Sequence, residues 1–169
     1  MLKFERSAGG ERGINRLEFA VSVAVIGIAA TVLLGSALYY EELGEKAEVE
    51  FTIRNIRAGL RYQVADRMIQ GRMSELAVLD GSNPVRWLSY PPRNYVGERR
   101  SANLESTDEG EWCFDPDLKE LRYRPRLRSY LSPGLPVLRW RVAAVLGTDG
   151  NRSIESLALV NLEPYRWFQ

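Results

Sequence analysis

The apolar residues of this chain are distributed unevenly. Residues 19–40 form a 22-residue run without a charged side chain. A helix rises about 1.5 Å per residue, so this run spans roughly 33 Å and is long enough to cross a hydrocarbon core of about 30 Å. The pattern therefore predicts one transmembrane helix near the N-terminus.

The segment that follows the apolar run is rich in charge but periodic. Its apolar residues recur every three or four positions, which is typical of one face of an amphipathic helix. No proline occurs before Pro84, so one helix is predicted from residue 14 to residue 70, with Gly71 as its stop and a short helical turn reaching Leu79. The predicted apolar stripe consists of Val49, Ile53, Ile56, Leu60, Val64 and Met68.

From Gly81 onward the sequence has the short apolar runs and turn residues of β-structure. One predicted hairpin joins strands around residues 112–114 and 121–123 through residues 115–117. A second joins residues 138–146 to residues 154–162 through Asp149 and Gly150, a favoured tight-turn pair. The predicted fold class is α+β, with a long N-terminal helix packed on a small C-terminal antiparallel β-sheet.

Composition removes most enzyme chemistry from consideration. The 169 residues include no histidine, the commonest zinc ligand and general base, and a single cysteine, Cys113, which we expect to be a buried small hydrophobe. Asp149, Gly150 and Asn151 suggest a calcium loop, but a plain hairpin turn explains them better. We therefore expect no catalytic residues, no metal and no cofactor. The net charge of +1 gives no reason to expect nucleic acid as a partner.

A specific pattern precedes the apolar run. Gly13 is followed by the large apolar Ile14, and Glu18 stands four positions further on. This pattern resembles the prepilin signature of type IV pilins and of the pseudopilins of type II secretion systems. The resemblance continues through Ala24, Ile26, Gly27, Ile28 and Ala30.

The resemblance implies processing and assembly. A prepilin peptidase would cut between Gly13 and Ile14 and methylate the new amine of Ile14, and Glu18 would serve assembly by pairing with the amine of a neighbouring subunit. Arg16 is a second candidate partner for Glu18. Gly35 stands where the family often has a helix-breaking proline. The implied partners are the peptidase, other pilin or pseudopilin subunits, an inner-membrane assembly platform with its ATPase, and membrane lipid.

The same resemblance implies four regions and an orientation. Residues 1–13 would be a leader, residues 14–40 a transmembrane and fibre-core helix, residues 41–80 its amphipathic continuation, and residues 81–169 a periplasmic β-rich region. Basic residues before the apolar run and acidic ones after it indicate a cytoplasmic N-terminus in a single-pass bacterial inner-membrane protein, which later joins a pilus or pseudopilus. These residues are Lys3, Arg6, Arg12 and Arg16, followed by Glu41, Glu42 and Glu45.

Several alternatives stay open at this point. The fibre is either a pilus or a pseudopilus, and the subunit is either major or minor. A different class is a single-pass sensor or adaptor with a periplasmic binding domain. The alternating arginines of residues 122–128 suggest a DNA-uptake surface, but a solvated edge strand is the preferred interpretation. The tryptophans are predicted to pack between helix and sheet: Trp87, Trp112, Trp140 and Trp167.

Overall fold

The structure is a computed structural model that describes residues 16–100, 107–132, 134–147 and 154–168. The chain divides into two compact units, Met1–Tyr40 and Glu41–Gln169. The first unit is described here only through its helical residues 16–40, and the second contains all the strands.

One long helix, α1 (Arg16–Ile69), accounts for the N-terminal part of the described chain. It ends just before Gly71, whose φ of +67° is a left-handed conformation that favours glycine. A 3-10 turn (Met73–Glu75), the short helix α2 (Leu76–Leu79) and a second 3-10 turn (Pro84–Trp87) follow. The predicted long helix, its stop and the short helical turn are confirmed.

Within the described part of the second unit, seven strands form two sheets. The larger sheet has the strand order β1-β2-β3-β5-β6, and β4 pairs with β7 in a separate two-stranded ribbon. The strand bounds are β1 Tyr95–Glu98, β2 Trp112–Asp115, β3 Glu120–Tyr123, β4 Leu131–Ser132, β5 Leu138–Leu146, β6 Ile154–Asn161 and β7 Arg166–Trp167.

Both predicted hairpins are confirmed. Strands β2 and β3 pair antiparallel with Trp112 opposite Tyr123, and β5 and β6 pair antiparallel with Val142 opposite Leu159. In the first turn Asp115 Oδ1 accepts hydrogen bonds from the backbone N–H groups of Asp117 and Leu118, at 2.9 and 3.1 Å. The predicted second turn at residues 149–150 lies outside the described residues.

The sheet is mixed, so the prediction of a purely antiparallel sheet is wrong at one edge. Strand β1, which the sequence pattern did not indicate, pairs parallel with β2, with Tyr95 opposite Trp112. A parallel neighbour needs a connection of about a dozen residues, and the stretch between Glu98 and Trp112 is long enough for one. The coarser α+β class, with a long N-terminal helix and a C-terminal sheet, holds.

Alternate residues of the strands face α1 and form one apolar core with it. Trp112 lies at the centre, with its ring centroid 4.7 Å from that of Tyr123 and 5.4 Å from that of Trp140. Trp167 is also buried and Trp87 partly so, which confirms the predicted packing role of the tryptophans. The helix contributes Val49, Ile53, Ile56 and Leu60, whereas Met68 at the end of the predicted stripe is 60% exposed.

The opposite face of the sheet is covered by ion pairs. Arg122 of β3 is buried and lies 3.4 Å from Asp115 and 3.1 Å from Glu120. Glu120 is also within 3.7 Å of Arg139 and 3.8 Å of Arg141 on β5. Strand β3 lies between β2 and β5, so the interpretation of this segment as a solvated edge strand is wrong. The arginines beyond Arg122 follow the end of the strand.

The helix side of the core generates a stability prediction. Ile56 has no exposed surface, so Ile56→Ala should lower the free energy of unfolding by about 3 kcal/mol through lost burial and the cavity left behind. The matched control is Met68→Ala, on the same predicted stripe but exposed, which should change it by less than about 0.5 kcal/mol. Denaturant unfolding in detergent, followed by circular dichroism, measures both. Equal losses would contradict this placement of the core.

Candidate functional site: the exposed helix and two buried glutamates

The first part of α1 presents apolar side chains on all sides. Every residue from Arg16 to Tyr40 is exposed, including Val25 at 59% and Leu33 at 70%. Within the described residues, α1 is the one helix long and apolar enough to span a membrane, and its most apolar 18-residue window has no buried part. Such a helix needs an apolar environment outside its own chain.

Glu18 lies in the first turn of α1 and is exposed. The hydroxyl of Ser22 donates a 2.8 Å hydrogen bond to the backbone carbonyl of Glu18, one turn earlier in the helix. Arg16, the other candidate partner of Glu18, is helical as well, and residues two apart on a helix do not face each other. The helical geometry therefore directs the Glu18 carboxylate away from Arg16 of the same chain.

Some predicted site residues lie outside the described residues. Gly13 and Ile14, the predicted cleavage and methylation positions, are among them, so processing stays a prediction. The residues considered for a calcium loop, Asp149 and Asn151, are outside as well. In the four described ranges, no group of three or more His, Cys, Asp or Glu side chains is placed to hold a metal ion.

Glu42 is a buried carboxylate on the helix, 1% exposed. Its Oε2 accepts a 3.1 Å hydrogen bond from the backbone N–H of Ser129, and its Oε1 accepts one of 2.8 Å from the N–H of Tyr130. The indole N–H of Trp167 donates a third, at 2.9 Å. One side chain thus binds the segment before β4 and strand β7 at the same time.

Glu45, one turn further along, binds the preceding part of the same segment. It is 2% exposed, and its two oxygens accept from the backbone N–H groups of Arg126 and Leu127, at 2.7 and 3.1 Å. The hydroxyl of Tyr123 donates a third hydrogen bond, at 2.7 Å. Burial, together with this bond and the nearby negative charge of Glu45, raises the pKa of Tyr123 far above its ordinary value. The phenol therefore stays a donor.

The segment between β3 and β4 explains why the helix presents carboxylates here. Residues 124–130 follow the end of β3 and include Pro125, so the N–H groups of residues 126–130 have no partner within a strand ladder. A buried N–H group without an acceptor is costly. Glu42 and Glu45 supply the acceptors, and all six donors are uncharged groups. We call Glu42, Glu45 and residues 126–130 the carboxylate clasp.

Sequence reasoning missed the role of this pair. Glu42 and Glu45 were interpreted only as part of the acidic cluster after the transmembrane run. A signal was nevertheless present, because positions 42, 45 and 49 continue the three-and-four spacing of the buried stripe toward the N-terminus. A glutamate in line with a buried apolar stripe indicates a carboxylate that the fold satisfies.

The second unit also has a pocket of about 550 Å³ on the ion-paired side of the sheet. Four arginines line it, together with Cys113 and a short apolar stretch at residues 135–137. Cys113 is buried, as predicted, and burial raises its pKa, which disfavours the thiolate form. The arginines are paired with carboxylates already, Arg124 and Arg128 with Glu109 at 3.7 and 3.3 Å.

The carboxylate clasp generates the next prediction. Glu42→Gln and Glu45→Gln each replace one acceptor oxygen with an NH₂ group that points at an N–H donor. Each should lower the free energy of unfolding by about 3 kcal/mol. Glu41→Gln, the same change at an exposed neighbour, should alter it by less than about 0.5 kcal/mol.

Thermal and denaturant unfolding in detergent would measure these differences. Tryptophan fluorescence adds a second readout, because the indole N–H of Trp167 binds Glu42 and the Gln variant keeps one acceptor oxygen instead of two. Stability of either clasp variant equal to that of Glu41→Gln would contradict the account.

Comparison of the chain with protein-family models, with curated protein sequences and with solved structures gave no match. Inference about function therefore starts from the residues of this chain. The features available for it are the exposed apolar helix, the position of Glu18 and the clasp that ties the folded unit to residues 42–45.

Proposed function

We propose that the protein is a structural subunit, a major or minor pilin or pseudopilin, of a type IV pilus or type II secretion pseudopilus. The observation that carries this proposal is the first part of α1. It is apolar and exposed on every side over residues 19–40, and a single carboxylate, Glu18, stands directly before that run. A plain membrane anchor gains nothing from a glutamate at this place, whereas an assembling helix does.

The exposed helix would have two successive environments. In the monomer, lipid covers the apolar side chains, because 22 residues match the thickness of a bilayer core. In the fibre, the same side chains would contact the helices of neighbouring subunits. Both environments are apolar, so extraction from the membrane into the fibre exchanges one kind of burial for another at modest cost.

Glu18 would act after cleavage. A cut between Gly13 and Ile14 creates a charged amine, which lies four residues from Glu18, or roughly 6 Å if the helix extends to it. In a packed fibre, the Glu18 carboxylate of one subunit would pair with the Ile14 amine of the next in a low-dielectric setting. Such a buried pair fixes the axial register between subunits more than it adds stability.

The proposed partners and location follow from this role. Prepilin peptidase would remove residues 1–13 and methylate Ile14, and an inner-membrane assembly platform with its ATPase would drive extraction. The protein would first be a single-pass inner-membrane protein with its C-terminal unit in the periplasm, in accordance with the charge bias around the apolar run. The proposed role is structural rather than enzymatic.

The carboxylate clasp holds the strand-rich part of the second unit to residues 42–45 of α1. Extraction by a pull on the helix would transmit force to the folded unit through residues 41–69. Six hydrogen bonds to Glu42 and Glu45 hold residues 123–130 and 167 to the start of that stretch. Hydrogen bonds to a charged acceptor are stronger than neutral ones.

A single-pass sensor or adaptor is the second candidate, and the arginine-lined pocket is the observation that favours it. An anionic ligand there would have to displace carboxylates that already pair with the arginines, Glu109 and Glu120 among them. A DNA-uptake surface has less support still, because Arg122 is buried and bound to Asp115 and Glu120. The fibre subunit is therefore the better-supported function.

Processing at Gly13 is the first functional prediction. A glycine lets the backbone enter a tight protease site without a side chain, so Gly13→Leu should leave the leader uncleaved. Mass spectrometry of membrane-extracted protein should find a methylated Ile14 N-terminus in the wild type and intact residues 1–13 in the variant. Gly10→Leu, within the predicted leader, is the control and should still be cleaved. Detection of only uncleaved wild-type protein beside an active peptidase would overturn the proposal.

Assembly through Glu18 is the second functional prediction. Glu18→Val should leave membrane insertion and cleavage intact, because it makes the segment more apolar, but should abolish or strongly reduce assembly. Glu18→Asp should be intermediate, since it keeps the charge with a shorter reach. Arg16→Leu, tested in parallel, should assemble normally, because residues 16 and 18 of a helix do not face each other.

The measurement is crosslinking between subunits, or recovery in sheared fibres, at matched membrane abundance. A sensor or adaptor predicts no loss for Glu18→Val. Wild-type assembly of this variant would therefore remove the role assigned to Glu18 and favour the second candidate.

A further inference from the structure

The depth of the carboxylate clasp at the membrane follows from chain length alone. Glu42 is two residues beyond the apolar run that ends at Tyr40, so its Cα lies within about 8 Å of that of Tyr40. The polar headgroup layer of a bilayer is roughly 5–8 Å thick on each side. If residues 19–40 span the hydrocarbon core, as the proposed function requires, Glu42 lies in or at the edge of the headgroup layer.

The clasp brings a distant part of the chain to the same depth. Arg126 and Tyr130 are hydrogen bonded through their N–H groups to Glu45 and Glu42, at 2.7 and 2.8 Å. Strand β7 joins them, because its Trp167 binds Glu42 and its Arg166 pairs with β4. These residues are 81 to 125 positions away from the glutamates in sequence.

The side chains displayed there suit an anionic, amphipathic surface. Arg126 and Arg166 are exposed. Tyr130 is 48% exposed and its ring stacks on that of Phe168, with centroids 4.8 Å apart. Lys46 lies over the other aromatic ring of this pair, 5.7 Å from the Phe168 centroid. Tyrosine and basic side chains are the residues typical of the membrane–water interface.

A depression of about 520 Å³ lies among these groups. Lys46 and Arg166 line it together with Phe168, and Glu50 is its one acidic side chain. Lys46 also lies 3.8 Å from the carboxylate of Glu50, a solvent-accessible ion pair of the kind that contributes little stability. Lys46 and Arg166 beside an aromatic ring therefore still fit a phosphate joined to an apolar chain.

Glu42 and Glu45 keep their negative charges, because every donor to them is uncharged, but their oxygens are buried and bound, so neither carboxylate is displayed at the surface. Glu41, on the same turn of the helix, is exposed.

We propose that this end of the folded unit is a docking surface for the headgroups of anionic phospholipids, formed by Lys46, Arg126, Tyr130 and Arg166. The surface would hold the unassembled subunit upright on the membrane. Release from it would accompany extraction. The proposal rests on the proposed membrane-spanning role of residues 19–40, but it adds a lipid contact made by the folded unit itself.

The experiment uses the full chain in vesicles and a spin label at the docking surface. In a Cys113→Ser background, Ser129→Cys places the label beside Tyr130, and Ser74→Cys is the control, since both serines are exposed and Ser74 lies beyond the other end of α1. The vesicles contain phosphatidylcholine with or without phosphatidylglycerol, plus a trace of nickel-chelating lipid. Power saturation then reports how closely each label approaches the headgroups.

The expected result is strong relaxation at position 129 and little at position 74, in vesicles with phosphatidylglycerol. Each basic residue near an anionic surface contributes about a fivefold factor, so Arg126→Gln with Arg166→Gln should lower the ratio of docked to undocked protein about 25-fold. Arg57→Gln with Arg61→Gln removes the same charge from exposed positions further along the helix and should change nothing.

The outcomes separate this proposal from the membrane-spanning role. Release of the protein from vesicles by alkaline carbonate would mean that residues 19–40 do not span the bilayer, and both proposals would fall. If the protein stays in the vesicles but the labels at positions 129 and 74 relax equally, the docking surface alone is overturned. The docking surface would also be overturned if removal of phosphatidylglycerol or of the two arginines left the relaxation at position 129 unchanged. The membrane-spanning helix alone would then explain why position 129 is close to the headgroups.

Discussion

Hydrogen bonds between two carboxylates of α1 and a distant backbone segment hold the strand-rich part of the folded unit to residues 42–45 of that helix. Glu42 and Glu45 are charged groups in a buried site, and such groups are tolerated only when their lone pairs are satisfied. Here each receives three donors, most of them backbone N–H groups that a proline-containing segment leaves without a strand partner. The helix supplies the acceptors and the segment supplies most of the donors, so the buried polar groups of each are satisfied only by the other.

The same helix meets two different physical requirements along its length. Residues 19–40 are apolar and exposed on every side, so their side chains need an apolar environment from outside the chain. From Val49 onward only one stripe is apolar, and that stripe packs on the sheet through Ile53, Ile56 and Leu60. The clasp glutamates lie between these parts, where a membrane-spanning helix would leave the bilayer. An apolar side chain there would bury well but could not bind the donors.

Charge pairing is also what covers the second face of the sheet. Arg122, Asp115 and Glu120 are buried there, and the guanidinium of Arg122 compensates the charge of both carboxylates. A buried pair of this kind adds little net stability, but loss of one member leaves an uncompensated charge and is costly. The network therefore fixes the arrangement of β2, β3 and β5 more than it strengthens it. It also removes Arg122 from any surface that could recognise nucleic acid.

The sequence by itself determined the features that depend on near neighbours. The apolar run of residues 19–40, the stripe from Val49 to Leu60 and the two antiparallel hairpins follow from local periodicity and turn residues. The resemblance carried by Gly13, Ile14 and Glu18 is the basis of the proposed assembly role. Only the tertiary structure decided the rest. Strands β1, β4 and β7 are two to four residues long and, unlike the equally short β2 and β3, are not joined to their partners by a tight turn, so they owe their identity to pairing with distant segments. The spacing of positions 42, 45 and 49 marks Glu42 and Glu45 as members of the buried stripe, but their backbone donors lie 81 to 88 residues later, and no local pattern can identify those donors.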